Sequence, residues 1–337
     1  MKTEGAKGPG GGSSNLRRAL RQAPRPGRRR SPQRADRRDR ARARKAAEGL
    51  SGRGAAGRRS PPRLLVALDS EGTVLDSTRP RQELCFAPAF AARFGRSAPA
   101  AAMAEVWRFV SLESRLRDAN RYKILAAALR IASRRPELAA MLRGGEGLVA
   151  ALEAWLSSSS SCSSEALEAA LRSRRADRAL ERVLDWSRAV DESLAALPPP
   201  RPFEGARALL PELAARAELL VLSSSTAEEA KGEWEDAGIA IHAARFMGRE
   251  LGGKAACLAA ARAELGCPRL LVVGDSLVDL EAARSSGAAF FPVEPGEEEA
   301  SWSELASSYL PRFVAGEAPR GPLAAFLAAL SSSPPWR

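Results

Sequence analysis

Three short apolar runs, each ending at a polar or turn-forming residue, most constrain the fold of this chain. They cover residues 64–68, 219–222 and 270–273, and the residues that follow them are Asp69, Ser223 and Gly274-Asp275. Short apolar runs bounded by such residues are typical of strands buried on both faces of a parallel sheet. Helix-compatible stretches follow at 227–237 and 277–285. The alternation predicts an α/β protein with a doubly wound parallel sheet, to which residues 288–292 add a fourth strand.

A long insert separates the first two apolar runs. Residues 79–200 are rich in Ala, Leu, Arg and Glu at helical spacing, without a strand-like run bounded by turns. This pattern predicts a separate all-helical domain. The α/β core is therefore expected at residues 63–78 and 201–310, followed by a helical extension at 311–337.

The positive charge of the chain belongs to its N-terminal tail. The net formal charge is +12, yet residues 1–60 hold 19 Lys or Arg against 4 Asp or Glu, whereas the rest holds 33 against 36. Because residues 1–62 are poor in apolar side chains, we expect a disordered basic tail. A plain solvated tail, an organelle-targeting segment and a nucleic-acid contact remain open. No aromatic residue precedes Phe86, so we do not predict a nucleic-acid-binding protein.

Cysteine and histidine usage excludes several kinds of site. The single histidine, His242, excludes a two-histidine metal site, and no C-x-x-C pair is present. Few cysteines in a chain of this length favour reduced thiols over a disulfide framework. No apolar run approaches the ~20 residues that span a bilayer, and the N-terminus lacks a secretory apolar region. The expected location is the cytoplasm, or an organelle if the tail is a transit segment.

The segment after the first predicted strand carries the candidate catalytic residues. Asp69 stands at a strand end, where a carboxylate can attack phosphorus and form an aspartyl-phosphate. Glu71, two residues later, can protonate a leaving oxygen and then activate water. Gly72 allows the backbone to approach a phosphate closely. An acidic turn after a strand is also common in ordinary polar loops. This segment therefore indicates a catalytic site only in combination with the polar residues that follow the other strands.

Polar residues at the other strand ends complete a candidate phosphate and metal site. Ser223 and Ser224 precede a helix, where a hydroxyl and a helix N-terminus can hold a phosphate. Lys254 opens a later helix and can neutralise a phosphoryl group. Asp275 and Asp279 follow the third strand, and carboxylate oxygens are the ligands that Mg²⁺ prefers. Because ligands bind beyond the carboxyl ends of strands in open α/β sheets, these residues are expected to meet.

The order Asp, Ser, Lys, Asp-Asp resembles the motif series of the haloacid dehalogenase-like hydrolase superfamily. The resemblance covers about residues 64–310 and implies a Rossmann-like core with an all-helical cap inserted after the first motif. The segments Cys85-Phe86 and Asn120-Arg121-Tyr122 resemble one branch of these hydrolases, for which no particular substrate is implied. Pro334-Pro335-Trp336 extends that similarity nearly to the C-terminus.

The resemblance also implies roles for the matching residues. Asp69 would be the nucleophile, and Ser223 and Lys254 would hold the phosphoryl oxygens. Magnesium would be bound by Asp69, Asp275 and the main-chain carbonyl of Glu71, with Asp279 acting from outside the direct ligands. On the cap, Arg121 and Lys123 are candidates for contacting an anionic substrate, Arg121 being the better of the two, although solvated helix charges are the more ordinary interpretation of either.

One residue departs from the family pattern. Family phosphatases usually carry aspartate where this chain has Glu71, and the extra methylene moves the carboxyl group. Misplacement on the order of an ångström can cost ~10²-fold in rate. Two hypotheses therefore stand beside each other: a Mg²⁺-dependent phosphatase of a small phosphorylated metabolite, and a catalytically weakened protein that binds phospho-ligands. Nucleic-acid binding through the tail is a third.

Overall fold

The computed structural model describes residues 64–173, 177–266, 269–317, 319, 321–331 and 333–335. The predicted disordered tail, Cys267 and Trp336 lie outside the described residues. Five strands form one parallel sheet in the order β5-β4-β1-β6-β7, and two short strands form an antiparallel pair. The strands are β1 (Leu65–Asp69), β2 (Leu75–Asp76), β3 (Arg201–Pro202), β4 (Glu218–Leu222), β5 (Arg245–Met247), β6 (Leu270–Gly274) and β7 (Ala289–Pro292).

The fold class predicted from the apolar runs is confirmed. The four predicted strands are β1, β4, β6 and β7, within one residue of the expected bounds. The prediction missed β5, which adds an edge strand beside β4, and it missed the pairing of Leu75 with Pro202 in the small hairpin. That pairing joins the two ends of the long insert, where the chain leaves the core and returns to it.

Alternating side chains of the central strand supply the two faces of the core. Val66 and Leu68 pack in one hydrophobic cluster, and Leu65 and Ala67 pack in another on the opposite face. All five residues of β1 are buried. Successive side chains of a strand point to opposite faces, and a central parallel strand is covered on both. Each fully buried Leu or Val contributes about 1.5–3 kcal/mol relative to exposure, so these runs fix β1 at the centre of the sheet.

Helices cover the sheet and build the insert. Among the described residues, the first eight α-helices belong to the insert and the other seven to the core and the C-terminal extension, with π-helical turns at Gln82–Phe86, Phe109–Glu113 and Leu305–Tyr309. The helices are α1 (Thr78–Arg81), α2 (Ala87–Phe94), α3 (Ala100–Arg108), α4 (Arg121–Arg134), α5 (Pro136–Ala139), α6 (Gly145–Ser158), α7 (Ser164–Ser173), α8 (Arg178–Ala195), α9 (Glu204–Arg216), α10 (Ala227–Asp236), α11 (Lys254–Leu265), α12 (Leu277–Ser286), α13 (Glu298–Glu304), α14 (Leu310–Val314) and α15 (Leu323–Ala329).

The helical insert, residues 79–200, has a hydrophobic cluster of its own. Its centre is aromatic: the ring of Trp107 lies 5.5 Å from that of Trp186 and 5.7 Å from that of Phe86. All buried members of this cluster come from the insert, whereas the clusters on the sheet come from the core. Separate clusters agree with the expected division of the chain, although the domain boundaries themselves stay predictions.

Two further expectations concern thiols and membranes. Cys85, Cys162 and Cys257 are free thiols in the structure. Among the helices of the described residues, none combines the length and the apolar character needed to cross a bilayer.

Candidate active site

The parallel register brings the chemically active residues to one edge of the sheet. Asp69 stands opposite Leu222, the last residue of β4, and Leu68 stands opposite Val273 of β6. Ser223 and Asp275 therefore emerge from neighbouring strands beside Asp69. This edge is where the carboxyl ends of parallel strands leave backbone and side chains available to a ligand.

Three buried carboxyl groups lie together at this edge. Asp69, Asp275 and Asp279 each offer an oxygen, and these oxygens all lie within 4.8 Å of one another. The three residues are 2%, 1% and 0% exposed. Burying several like charges is unfavourable unless cations or hydrogen-bond donors neutralise them.

Lys254, the first residue of α11, supplies one of these cations. Its Nζ lies 2.7 Å from Oδ1 of Asp69 and 2.8 Å from Oδ1 of Asp279. The lysine is 5% exposed, so its ammonium is held inside the site. The structure thus brings together the four residues that the sequence placed at separate strand and helix ends.

Asp279 also completes the N-terminal cap of α12. Ser276 is the N-cap residue, and its Oγ donates to Oδ2 of Asp279 at 2.6 Å. The backbone N–H of Ser276 donates to the same oxygen at 3.2 Å, and the backbone N–H of Asp279 donates to Ser276 Oγ at 3.3 Å, which forms a reciprocal capping box. A Cβ at Gly274 would approach Cγ of Asp279 to 2.4 Å, so glycine is required there. Asp279 therefore holds Lys254 with one oxygen and the helix start with the other.

Gly72 and Thr73 shape the loop after β1. The backbone of Gly72 has φ +78°, and a Cβ there would lie 2.3 Å from Oδ2 of Asp275. Only glycine adopts this conformation freely and leaves room for the carboxylate. Thr73 Oγ1 donates to Oδ2 of Asp69 at 3.1 Å, so both oxygens of Asp69 have a donor.

Glu71 is engaged by partners that the sequence did not indicate. Arg81 Nη1 lies 2.7 Å from its Oε2, and Ser225 Oγ donates to its Oε1 at 2.6 Å. Arg81 in turn pairs with Glu233 of α10. The side chain of Glu71 is 22% exposed, so it stands at the rim of the site. The role of its main-chain carbonyl as a metal ligand stays a prediction.

A turn of the helical insert reaches into the site. Arg117 Nε donates to Oδ2 of Asp275 at 2.9 Å, and both side chains are almost fully buried. The neighbouring Asp118 accepts from Lys254 Nζ at 3.0 Å and from Ser224 Oγ at 3.1 Å. The sequence analysis missed both residues. Asp118-Ala119-Asn120 was a turn signal, but nothing in the sequence singled out Arg117 among 52 Lys and Arg.

The other residues predicted for phosphate or substrate binding are Ser223, Arg121 and Lys123. Ser223 is 5% exposed, and its Oγ accepts from the backbone N–H of Ser225 at 3.0 Å. Arg121 pairs with Asp191 inside the insert, with Nη1 2.5 Å from Oδ1. Lys123 is exposed. Within the described residues, neither Arg121 nor Lys123 contacts the acidic cluster, and their substrate roles stay predictions.

Burial and charge set the protonation of the cluster. Burial, with repulsion from Asp279, raises the pKa of Asp69 well above its usual range despite the attraction of Lys254. Burial also raises the pKa of Asp275 to about 6, although Arg117 opposes the shift. For Lys254 burial lowers the pKa, but the attraction of Asp118, Asp279 and Asp69 is larger, and the pKa is raised. The ammonium therefore stays charged at neutral pH.

The donor set fits a hard divalent cation. Four carboxyl groups, from Asp69, Asp118, Asp275 and Asp279, face two cations, Arg117 and Lys254, which leaves a formal charge of −2. Oδ1 of Asp275 is buried and has no hydrogen-bond partner in the described part of the chain. An orphaned carboxylate oxygen in an acidic cluster is a suitable ligand for Mg²⁺, which prefers oxygen and keeps several waters.

Among solved structures, the fold of this chain is similar to the folds of haloacid dehalogenase-like hydrolases. A predicted phosphoglycolate phosphatase from Haemophilus somnus is 15% identical, over 69% of this chain and 85% of that one, with a TM-score of 0.44. A haloacid dehalogenase-like family protein from Streptococcus pneumoniae is 13% identical, over 71% and 90%, with a TM-score of 0.39. L-2-haloacid dehalogenase from Xanthobacter autotrophicus is 19% identical, over 78% and 86%, with a TM-score of 0.35.

No protein-family model and no curated protein matches the sequence. At the identities and TM-scores of the solved structures, likeness does not assign an activity to this chain. The proposed function therefore rests on the side chains at the carboxyl edge of the sheet.

Proposed function

We propose that this protein is a Mg²⁺-dependent phosphatase of the haloacid dehalogenase-like kind, which cleaves a small phosphorylated metabolite through an aspartyl-phosphate. One observation carries the proposal: buried Lys254 holds the carboxylate of Asp69 at 2.7 Å, beside two further buried aspartates at the carboxyl edge of the sheet. A structural ion pair needs one carboxylate. Three carboxylates, those of Asp69, Asp118 and Asp279, surround this one ammonium and leave an excess of negative charge that suits a metal ion and a phosphoryl group bound together.

In the first step, a carboxylate oxygen of Asp69 attacks phosphorus, a new P–O bond forms, and the bond to the leaving oxygen breaks, so that the leaving group departs as an oxyanion and takes its proton from water. Lys254 stabilises the negative charge on the transferring group. In the second step, water attacks the phosphorus of the aspartyl-phosphate, which releases inorganic phosphate and regenerates Asp69. Glu71 is the base that accepts the proton of this water.

Magnesium would be held by Asp69 and Asp275, with Asp279 fixing Lys254 beside them. It would supply positive charge that screens the phosphoryl oxygens from the carboxylates. The unpartnered Oδ1 of Asp275 supports this assignment. The residues present therefore fit the cofactor that the motif resemblance implies.

The space beside the site supports a small substrate. A cavity of about 340 Å³ opens next to Gly72 and Arg117, at the lower end of the range for small-molecule pockets. The cavity is lined by two arginines, Arg79 and Arg117, and by two acidic residues, Asp76 and Glu298. A leaving group with both polar and charged atoms matches such a lining better than a long apolar chain does.

The test is hydrolysis of p-nitrophenyl phosphate and of a panel of phosphorylated metabolites, with and without Mg²⁺. We expect Mg²⁺-dependent turnover that is lost in Asp69→Asn and kept in Asp185→Asn, a matched change of an exposed aspartate in the insert. Absence of Mg²⁺-dependent turnover on every substrate would contradict the proposal for these compounds.

A second candidate is a phospho-ligand-binding protein with weak turnover. The contacts of Glu71 favour it, because Arg81 and Ser225 occupy both carboxylate oxygens and hold the group in its ionised form. An ionised glutamate has no proton to give the leaving group. Calorimetric binding of orthovanadate, measured beside turnover, separates the candidates. Tight binding without turnover in the wild type, and turnover gained in Glu71→Asp, would support the second.

A further inference from the structure

The 115–118 turn of the helical insert places a cation on a proposed metal ligand. Arg117 Nε donates to Oδ2 of Asp275 at 2.9 Å, and Arg117 Nη1 also donates to the carbonyl oxygen of Leu112 at 3.3 Å. The side chains of Arg117 and Asp275 are 4% and 2% exposed. A buried guanidinium on this carboxylate competes with a metal ion for the same negative charge.

The next residue places an anion on the proposed phosphate-binding groups. Oδ2 of Asp118 lies 3.0 Å from Nζ of Lys254 and accepts from Ser224 Oγ at 3.1 Å. These two donors are the ones assigned to phosphoryl oxygens in the proposed function. The carboxylate of Asp118 therefore stands where an oxygen of a phosphoryl group would be bound.

The backbone of this turn is held between two fixed points. Before the turn, the carbonyl oxygen of Glu113 accepts from the backbone N–H of Ser331 at 2.8 Å. After the turn, Asn120 caps α4 through a hydrogen bond from the N–H of Tyr122 at 3.0 Å. Asp118 has φ +59°, the one positive φ at a non-glycine residue in the part of the chain that the structure describes. Aspartate is among the non-glycine residues that adopt this conformation most readily, and the contacts of Asp118 add to that preference.

We infer that the 115–118 turn is a latch that closes the site by imitating its two ligands. Arg117 takes the place of the metal charge and Asp118 takes the place of the phosphoryl charge, so the turn in its closed position competes with a metal ion and with a phosphoryl group. This inference rests on the proposed function, because that function defines the two positions. Ligands that bind only the open state shift the protein toward it, and the closed population lowers their apparent affinity.

The latch predicts two changes in binding affinity that are opposite in direction to the changes expected from the charge of the substituted side chain alone. Asp118→Asn removes a negative charge near the metal position, which by charge alone weakens Mg²⁺ binding, whereas opening the latch tightens it. Arg117→Gln removes a positive charge, which by charge alone weakens phosphate binding, whereas opening the latch tightens it. If the turn is open in about 10% of molecules, each affinity rises about tenfold.

The experiment is calorimetric titration of the full chain with Mg²⁺ alone and with inorganic phosphate alone. The variants are Asp118→Asn for Mg²⁺ and Arg117→Gln for phosphate, with Arg115→Gln as the matched control, because Arg115 is an exposed arginine of the same turn. Asp118→Gly is a second variant, since glycine suits the left-handed backbone and preserves folding. We expect tighter binding in the latch variants and unchanged binding in Arg115→Gln.

A measurement on the wild type avoids any effect of substitution on folding. Amide hydrogen exchange at residues 115–118 is expected to rise when Mg²⁺ and phosphate are added together, because the turn leaves its buried partners. Exchange that stays the same or slows would overturn the latch. Weaker, unchanged or undetectable Mg²⁺ binding by Asp118→Asn would overturn it as well.

Failure of the latch and failure of the proposed function are distinguishable. Binding and exchange do not require turnover, so a latch that behaves as expected in a protein without phosphatase activity supports the binding-protein alternative. Mg²⁺-dependent turnover together with the electrostatic signs in both titrations keeps the phosphatase and removes the latch.

Discussion

Arg81 Nη1 lies 2.7 Å from Oε2 of Glu71, where the chain passes from the sheet into the helical insert. Burial by itself raises the pKa of Glu71, but the charge of Arg81 and the hydrogen bond from Ser225 outweigh it, and the pKa is lowered. Glu71 is therefore an anion at neutral pH. An anion can accept a proton from water, which suits the second step of the proposed reaction better than the first.

The first prediction is that Arg81→Gln moves the acid limb of the pH–rate profile to higher pH. Glu71 acts as a base only when ionised, so activity is lost as the pH falls through its pKa. Removing the cation raises that pKa. The measurement is kcat for p-nitrophenyl phosphate as a function of pH at saturating Mg²⁺, whose charge keeps Asp69 and Asp275 ionised so that Glu71 sets the acid limb. Arg93→Gln, at an exposed position of α2, serves as the control and keeps the wild-type profile. An acid limb that does not move in Arg81→Gln would show that another group sets it.

The second prediction compares two glycines with similar backbone. Gly72 and Gly238 have φ +78° and +71°, but a Cβ at Gly72 meets Asp275 at 2.3 Å, whereas at Gly238 nothing lies within 4 Å. Gly238→Ala is expected to cost about 1 kcal/mol of unfolding free energy, for the left-handed backbone alone. Gly72→Ala is expected to cost roughly 1–3 kcal/mol more, because the added methyl group displaces a buried carboxylate.

Urea denaturation of both variants measures this difference, and calorimetry measures Mg²⁺ affinity. Gly72→Ala is expected to bind Mg²⁺ more weakly, while Gly238→Ala binds it as the wild type does. Equal losses of stability and equal Mg²⁺ affinities in the two variants would show that Gly72 is needed only for its backbone conformation.

The sheet could be predicted because its central strands carry their own signal. A strand that is buried on both faces, such as β1, is a continuous run of apolar residues, and such a run can be recognised in the sequence. The edge strand β5 has three residues and begins with Arg245, which pairs with Glu218 at 3.2 Å, so no apolar run marks it. The strands of the small hairpin have two residues each and depend on tertiary pairing.

The candidate site also contains residues that could be predicted from the sequence and residues that could not. Asp69, Lys254 and Asp275 could be predicted to meet, because parallel strands and the helices after them deliver their ends to one edge. Arg117 and Asp118 could not, since their partners lie in the core and depend on how the insert packs. The segment Asn120-Arg121-Tyr122 drew attention to Arg121, yet that arginine pairs with Asp191 inside the insert.

The third prediction concerns stability and pH. Burial raises the pKa of Asp275 to about 6 in the folded protein, against about 3.9 in an unfolded chain. Between these values the folded state binds more protons, so the unfolding free energy falls as the pH rises and the loss is complete above pH 6. The shift of about 2 units corresponds to roughly 3 kcal/mol.

Asp275→Asn removes this titration. Urea denaturation without metal, at pH values from 4 to 7, is expected to show a larger loss of unfolding free energy in the wild type than in the variant. Only the difference between the two slopes is compared, so any constant effect on the partner Arg117 cancels. Parallel pH dependences would mean that Asp275 titrates at its ordinary pKa.

The fourth prediction is that Asp69→Asn abolishes turnover and stabilises the metal-free protein. Burial and the repulsion of Asp279 make an ionised Asp69 unfavourable in the folded state, which its raised pKa expresses. A neutral amide of the same shape relieves that cost, and we expect a gain of about 1 kcal/mol at pH 7. Added Mg²⁺ is expected to stabilise the wild type more than the variant, because the wild type retains the full set of carboxylate ligands. Thermal unfolding with and without Mg²⁺ measures both effects, with Asp185→Asn as the control. A metal-free variant less stable than the wild type would mean that the contact with Lys254 outweighs the repulsion among the three aspartates.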